Sequence, residues 1–547
     1  MQSSQSLRRI VILGATALIL GGVLSRVHFE SGSDRTSPNP LYAQEPERPI
    51  SDMLRIWPMF GGHIGRNMVN LAEKGVPTEW EMRKNEQKKN LKWVAKLGSQ
   101  AYGGPVIAAG KVFVGTNNGA PRNDRDRDPK SKKPFDKGVL MCFRESDGKF
   151  LWQHVNDKLR SGNENDFSNV GICSTPIVED GRVYYVSNRC VVNCLDTEGL
   201  AHIPPAERKE QYTSDTDAHV IWQYDMMKEL NVFPHNMSAC SPLIVGDLLF
   251  VVTGNGVDDT HTNIPKPDAP SFIALNKKTG ELVWKDSSPG RQILHGQWSN
   301  PTYAEIGGKP QVIFPGGDGW LRSFESQTGK LIWKCDCNPK DSVYDVRGSG
   351  TRSDFIATPV VHDGKVYIGL GQDPDHSTGI SHLWCIDPAG KTGDISPELV
   401  TDATMKPPKT AKNPNSGIVW HYGGLDPDPK AKREFIFGRT MSTLSVHDGL
   451  LYAAELDGFL HCLDAKTGEL YWRHDLKSTI WGSTYWVDGK IYLATESGDV
   501  YVFAHGKEKK LINKVEMEEP IRSTPVVSNG VLYVMSELNL YAIQEKK

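Results

Sequence analysis

No Cys-x-x-Cys-His motif occurs in the 547 residues, so a covalently attached c-type haem is not indicated. No two cysteines are adjacent, and the total of nine is odd, leaving at least one thiol outside any set of intramolecular bridges. Cys190 with Cys194, or Cys335 with Cys337, are spaced for local bridges. The favoured reading is small buried hydrophobes, because Cys142, Cys194, Cys385 and Cys462 sit in apolar, strand-like runs. An excess of charge is also missing: the net charge of −3 supplies no basic footprint for nucleic acid. The apolar run at 10–25 is shorter than the ~20 residues that span a bilayer comfortably. Arg8 and Arg9 precede it, which is a signal-peptide pattern, with an uncleaved anchor as the alternative, since no clear Ala-x-Ala site follows. It has no lipobox cysteine beside it. The body is therefore expected outside the cytoplasm, periplasmic or anchored to the inner membrane through 10–25, with 26–90 as a spacer and N-terminal extension.

What is abundant is repetition. "FRESDGKFLW" at 143–152, "LNKKTGELVW" at 275–284, "FESQTGKLIW" at 324–333 and "LDAKTGELYW" at 463–472 are copies of one phrase. Around each lie short runs rich in Val, Leu, Tyr and Trp, bounded by Asp-Gly or Thr-Gly turns, which is the signature of four antiparallel strands in a propeller blade. The start of the unit recurs at Gly104-Pro105, Thr175-Pro176, Ser241-Pro242, Asn300-Pro301, Thr358-Pro359, Thr443-Leu444, Thr484-Tyr485 and Thr524-Pro525. Eight starts predict an all-β, eight-bladed propeller over 91–547. The last blade has room for three strands, and "LKWVAKL" at 91–97 supplies the fourth, closing the ring and hiding its edges. Trp93, Trp152, Trp222, Trp284, Trp333, Trp420 and Trp472 share one place on the fourth strand, so they are expected to dock blade against blade. The unit at 483–516 lacks one.

The long insertions fall mostly on one face of blades one to five (115–138, 155–173, 226–239, 253–270, 287–298, 336–356, 371–381 and 424–441), with 197–218 and 388–417 on the other. Elaborated loops on a rigid scaffold are where function usually resides. Residues just before the blade starts should line the channel mouth: His235, Asn236, His295, Trp298, Arg352, Asp354, Arg439, Trp481 and Arg522. A hydrated polar channel accounts for part of this set. Arg and Trp at a rigid rim also suit anionic or aromatic groups of a protein or small ligand.

The docking phrase resembles that of the PQQ-repeat propellers, a family that includes quinoprotein dehydrogenases and BamB-like assembly proteins. "WPMFGG" at 57–62 resembles the opening of exported members. The resemblance implies a comparison with the dehydrogenases' PQQ and Ca²⁺ site. "TGN" at 253–255 keeps the family's calcium-ligating Asn as Asn255. The family's His-Asp-x-Trp-Asp phrase, which carries the catalytic carboxylate, reads "HGQWS" at 295–299: His295 and Trp298 match, whereas Gly296 and Ser299 replace the two Asp. The loop that carries a calcium-binding Glu is "SNRC" at 187–190, and the adjacent-cysteine cap is absent. Alcohol oxidation needs a base, and calcium needs several hard oxygen ligands. The expectation is an exported, non-catalytic propeller with no firm cofactor that binds a partner at its elaborated face. The alternative is a PQQ- and Ca²⁺-dependent alcohol or sugar dehydrogenase.

Overall fold

The computed structural model describes residues 56–83, 85–159, 165–347, 349–372 and 379–545. The apolar run at 10–25 expected to direct export, the stretch 26–55 and parts of the insertions 155–173 and 371–381 lie outside these residues.

Eight antiparallel sheets follow one another as blades 1 to 8, spanning 106–157, 177–225, 243–286, 302–336, 360–425, 445–475, 485–516 and 526–543. Blade 6 is the bare form: Ser445–His447, Leu450–Ala454, Phe459–Asp464 and Leu470–Asp475, each paired with the next. Blade 8 takes its outermost strand from Leu91–Lys96, which pairs antiparallel with Asn539–Ile543 as expected. All nine cysteines are free thiols, and eight of them are buried.

Each blade carries a register shift between its third and fourth strands at the docking position, for instance between Cys142 and Phe143 opposite Trp152, and between Cys462 and Leu463 opposite Trp472. A bulge re-aims the side chain on the bulged strand. Here it turns each indole toward the next blade. Trp152 Nε1 donates to Thr197 O at 3.0 Å, Trp284 to Ser326 O at 2.8 Å and Trp420 to Ala465 O at 3.0 Å, all in the following blade. The ring face lies on the glycine of the following blade's turn. A Cβ at Gly148, Gly199, Gly280, Gly329 or Gly468 would stand 2.6–2.7 Å from Trp93, Trp152, Trp222, Trp284 or Trp420, respectively. The Thr-Gly and the Trp are thus two halves of one joint, which is why they are copied together. A buried indole removes about 150–250 Å² from water, about 4–6 kcal/mol at the usual coefficient, against roughly 1 kcal/mol for its hydrogen bond. Ring burial therefore dominates blade cohesion.

Two joints depart from the pattern. The insertion at 388–417 occupies the turn that Trp333 would meet, adding Gly393–Asp394 beside Trp333–Lys334, and Trp333 Nε1 instead donates to Gln311 Oε1 in its own blade. In blade 7 the docking position is Asn513, whose amide donates to Thr78 O at 2.9 Å.

At the blade starts the hydroxyls and one amide link neighbouring blades. Gly104 N donates to Thr175 Oγ1, Thr175 N to Ser241 Oγ, Ser241 N to Asn300 Oδ1, and Asn300 Nδ2 to Thr358 Oγ1. Thr443 N donates to Ser483 Oγ and Ser483 N to Thr524 Oγ1. The seventh start therefore lies at Ser483, one residue before the Thr484 expected from sequence.

The larger correction concerns the spacer. From residue 56 the chain belongs to the propeller. Trp57 exchanges two backbone bonds with Ile107 in blade 1, and Pro58 O accepts from Val178 N in blade 2. Arg66, fully buried, donates to Ser241 O and Pro242 O in blade 3 and to Pro301 O in blade 4. Gly65 O accepts from Val361 N in blade 5, Asn67 pairs with Val446 in blade 6, Val69 with Trp486 in blade 7, and Asn70 Nδ2 donates to Val527 O in blade 8. This segment bonds to the first strand of each blade, or to the residues just before it, and plugs the channel. The "WPMFGG" phrase makes its opening turn: Gly61 and Gly62 have φ of 75° and 73°, and a Cβ on Gly62 would strike the Trp57 ring at 2.4 Å.

Candidate functional site

A cavity of about 340 Å³ lies on the propeller axis. The blade-start residues Gly104, Thr175, Ser241, Asn300, Thr358, Ser483 and Thr524 line it, together with Phe60 from the N-terminal plug. Asn236, His295, Trp298, Trp481 and Arg522, all expected at the mouth, contribute to its wall, and so does Tyr102, which the sequence reading did not single out. Tyr102 precedes the first blade start by two residues, so the rule used for the other blades would have found it.

Arg522 is held between Tyr102 and Trp481, its guanidinium 5.3 and 5.8 Å from their ring centroids. Two carboxylates, Glu496 and Glu537, pair with it. Burial alone would raise the Glu496 carboxyl, but the hydrogen bonds and charge of Arg522 outweigh it and hold the group below its usual value. With two acids facing one guanidinium, this part of the wall is not cationic, contrary to the expectation of an anion-seeking rim.

Arg352, Asp354 and Arg439 lie outside the cavity lining. Arg352 donates to Asp318 O at 3.0 Å, Ser342 Oγ at 3.2 Å and Asp336 Oδ1 at 2.7 Å, fastening the loop after blade 4. Asp354 is buried in a backbone bridge to Gly371. Arg439 reaches Asp457 at 3.4 Å on the neighbouring turn of blade 6. All three sit at the expected chain positions, yet the side chains of Arg352 and Arg439 fasten loops and Asp354 is held by its backbone.

His235 is 1% exposed, and its Nδ1 lies 2.9 Å from Val257 O. A carbonyl only accepts, so Nδ1 carries the proton and Nε2 presents its lone pair. That Nε2 is 3.1 Å from His261 Nε2, which is itself 3.1 Å from His295 Nε2. Trp298 flanks the group, its ring centroid 5.0 Å from that of His295, and its Nε1 donates to His235 O at 3.2 Å. His235 and His295 were expected at the mouth, but His261 was not. It is a single His in the polar stretch "GVDDTHTNIP" at 256–265. The available signal was that insertion 253–270 shares a face with the other two.

The positions compared with the quinoprotein site are engaged elsewhere. Ser299 Oγ donates to Ala357 O at 2.5 Å, just as Ser174 donates to Cys240 O and Ser442 to Gly482 O, both at 2.7 Å. Ser299 is thus one of a set of blade staples. A Cβ on Gly296 would lie 2.2 Å from the Trp298 indole, so no carboxylate fits there while Trp298 holds its place. Asn255 accepts from Phe233 N at 3.0 Å and donates to Lys266 O at 2.9 Å, which occupies both ends of its amide. Asn188, in the loop of the missing Glu, donates to Asp166 Oδ2 at 2.7 Å. This donor set does not fit calcium-held PQQ.

Eight docked blades, a ring of start residues and an axial cavity define a propeller of the PQQ-repeat class. Residues 206–396 and 410–544, more than half of the chain, match the family described as outer membrane protein assembly factor BamB, and the chain belongs to that family. It is 21% identical over 377 residues to the assembly factor BamB of Yersinia pestis, covering 68% of this chain and 77% of that one. It is 28% identical over 165 residues to methanol dehydrogenase [cytochrome c] subunit 1 of Paracoccus denitrificans, where the match covers 27% of this chain and only 26% of the dehydrogenase. The crystal structure of BamB from Moraxella catarrhalis superposes with a TM-score of 0.48 at 14% identity, covering 82% of this chain and 99% of that one.

Proposed function

We propose that this chain is an exported, non-catalytic scaffold that binds a protein partner or a small ligand at the loop-rich end of its channel, in envelope assembly. The observation that carries the reading is the pairing of an aromatic-walled axial cavity with a catalytic phrase turned to structural use. Tyr102, Trp298 and Trp481 offer rigid apolar faces of the kind that anchor interfaces. Ser299, where a carboxylate would act as base, staples two blades. The family match supports a partner in outer membrane assembly, and the extracytoplasmic relatives favour export.

The match to a methanol dehydrogenase motivates the second reading, a PQQ-dependent dehydrogenase. Dye-linked alcohol oxidation after incubation with PQQ and Ca²⁺ separates the two. The scaffold reading expects no turnover above a boiled control, and turnover abolished by chelating calcium would overturn it. Trp481→Ala is then expected to weaken capture of the partner recovered from envelope fractions. Unchanged capture would place the binding surface on the outer loops.

A further inference from the structure

The three imidazoles beside the axial cavity have no part in the scaffold reading. Their convergence is built from three separate stretches of chain. His235 precedes the third blade start, His261 caps the long loop of blade 3, and His295 leads into blade 4. Backbone bonds join these stretches: His235 N to Gly254 O at 3.3 Å, Gly256 N to Phe233 O at 2.9 Å and Val257 N to His295 O at 3.1 Å. Gly256 sits so close between them that a Cβ would lie 2.6 Å from His235 Cβ and from His295 O. The Asp258 carboxylate accepts from Thr260 Oγ1 and from the backbone of Thr262 and Asn263, bending the loop so that His261, at φ 53°, turns back onto the other two rings.

We propose that His235, His261 and His295 form a binding site for one late first-row divalent metal ion, zinc being the expected occupant. All three rings present the same atom, Nε2, and these atoms lie within 4.8 Å of one another. His235 arrives as a ready ligand, because its Nδ1–H is spent on Val257 O. That carbonyl is the outer-shell partner usual for metal-bound histidines. Among the three nitrogens, His261 Nε2 faces two neighbours at equal distance, and its single proton cannot serve both lines well. A cation at the centre accepts a lone pair from each ring and removes the conflict. The spacing suits it: two nitrogens bound tetrahedrally at about 2.0–2.1 Å stand about 3.3 Å apart, so the two 3.1 Å contacts need to open only slightly while the third pair, within 4.8 Å, adjusts to match. Three neutral nitrogen donors, with no carboxylate grouped with them among the described residues, select zinc, copper, nickel or cobalt over calcium or magnesium. The fourth coordination position falls to water or to a group held in the cavity, whose wall includes His295.

The experiment uses tag-free protein stripped with a chelator and titrated with Zn²⁺ against a chromophoric competitor. A parallel titration with Co²⁺ is followed by visible absorbance. The expected result is one zinc per chain, undisturbed by excess Ca²⁺, and a Co²⁺ spectrum with the intense bands of a four-coordinate site. His261 lies on a loop outside the blades, so His261→Ala is expected to keep its metal-free unfolding midpoint. It should bind zinc at least about 100-fold more weakly, since loss of an outer-shell partner alone costs about 10–100-fold. Zinc should raise the unfolding midpoint of the parent protein and not of the variant. His202→Ala, on a distant surface loop, should bind as the parent does. No stoichiometric zinc binding by the parent, or undiminished binding by His261→Ala, overturns the site. Should His261→Ala not fold, His261→Gln is read by the same criteria, and the parent titration decides alone if neither folds. The readout involves no partner, so failure here leaves the scaffold reading standing.

Discussion

Gly449 and Gly468 belong to the same blade and have almost the same backbone, with φ of 74° and 75°. A Cβ at Gly449 meets nothing within 4 Å, whereas one at Gly468 lies 2.7, 2.8 and 3.1 Å from three atoms of the Trp420 indole. Alanine at either position bears the left-handed penalty of about 1–2 kcal/mol. It also stiffens the unfolded chain equally at both, so that effect cancels in the comparison. Only Gly468→Ala must additionally displace a packed ring, which costs about 1–3 kcal/mol for overpacking a core. Gly449→Ala is therefore expected to cost about 1–2 kcal/mol and Gly468→Ala about 2–5 kcal/mol. Equilibrium urea unfolding measures both, with the shift in midpoint converted at a common slope. A double-mutant cycle isolates the joint. In a Trp420→Ala background the methyl at residue 468 enters vacated space, and its cost should fall back to that at residue 449. Equal costs in the parent protein, or an unchanged Gly468→Ala cost once the indole is gone, would refute the account of why glycine and tryptophan are copied together.

Two further outcomes test the ring and its ionisation. Deleting 1–98 removes both the plug and the closing strand, and should lower the unfolding midpoint far more than deleting 1–50; equal midpoints would disprove the closure by Leu91–Lys96. Burial, together with the neighbouring His421, holds the His382 imidazole down at about 3, and burial holds His63 and His154 at about 4. Since the unfolded chain takes up these protons first, stability is full above the ordinary imidazole value of about 6.5 and is lost as pH falls from there toward about 4. Melting scans across that window should show the loss, and His382→Gln should make it shallower; an unchanged slope would remove His382 from the effect.

The blades were legible because their information is local. A Thr-Gly turn, a Pro after the start residue and a Trp nine positions after the phrase begins are each read within one unit, and repetition confirms them. The misassigned start at Thr484 shows the limit, because two hydroxyl residues stand side by side and only the bond from Ser483 N to Thr524 Oγ1 tells them apart. The plug at 57–70 was not legible at all. It has no periodicity, and its partners lie up to 457 residues away. Arg66 is buried by main-chain carbonyls of two blade starts, Ser241-Pro242 and Pro301, and a carbonyl leaves no mark on residue identity. At the mouth, chain position places Trp298, Trp481 and Arg522 in the cavity wall, but it could not say that Arg352 would turn to Asp336 or that Arg522 would meet two acids. His261 needed three dimensions, since 26 and 34 residues separate it from the rings it meets.

The plug also has a consequence in time. The segment 57–70 is among the first parts of the propeller to be made, yet its last hydrogen bonds wait for Val446, Trp486 and Val527. Contacts of such separation are slow to form and come late. A growing chain halted before residue 527 leaves the segment unfinished and blade 8 without inner strands, with apolar strand edges exposed. Completion of the ring therefore reports that the chain has been made through blade 8, and a copy halted earlier should be recognisable to proteases by the N-terminal segment it failed to bury.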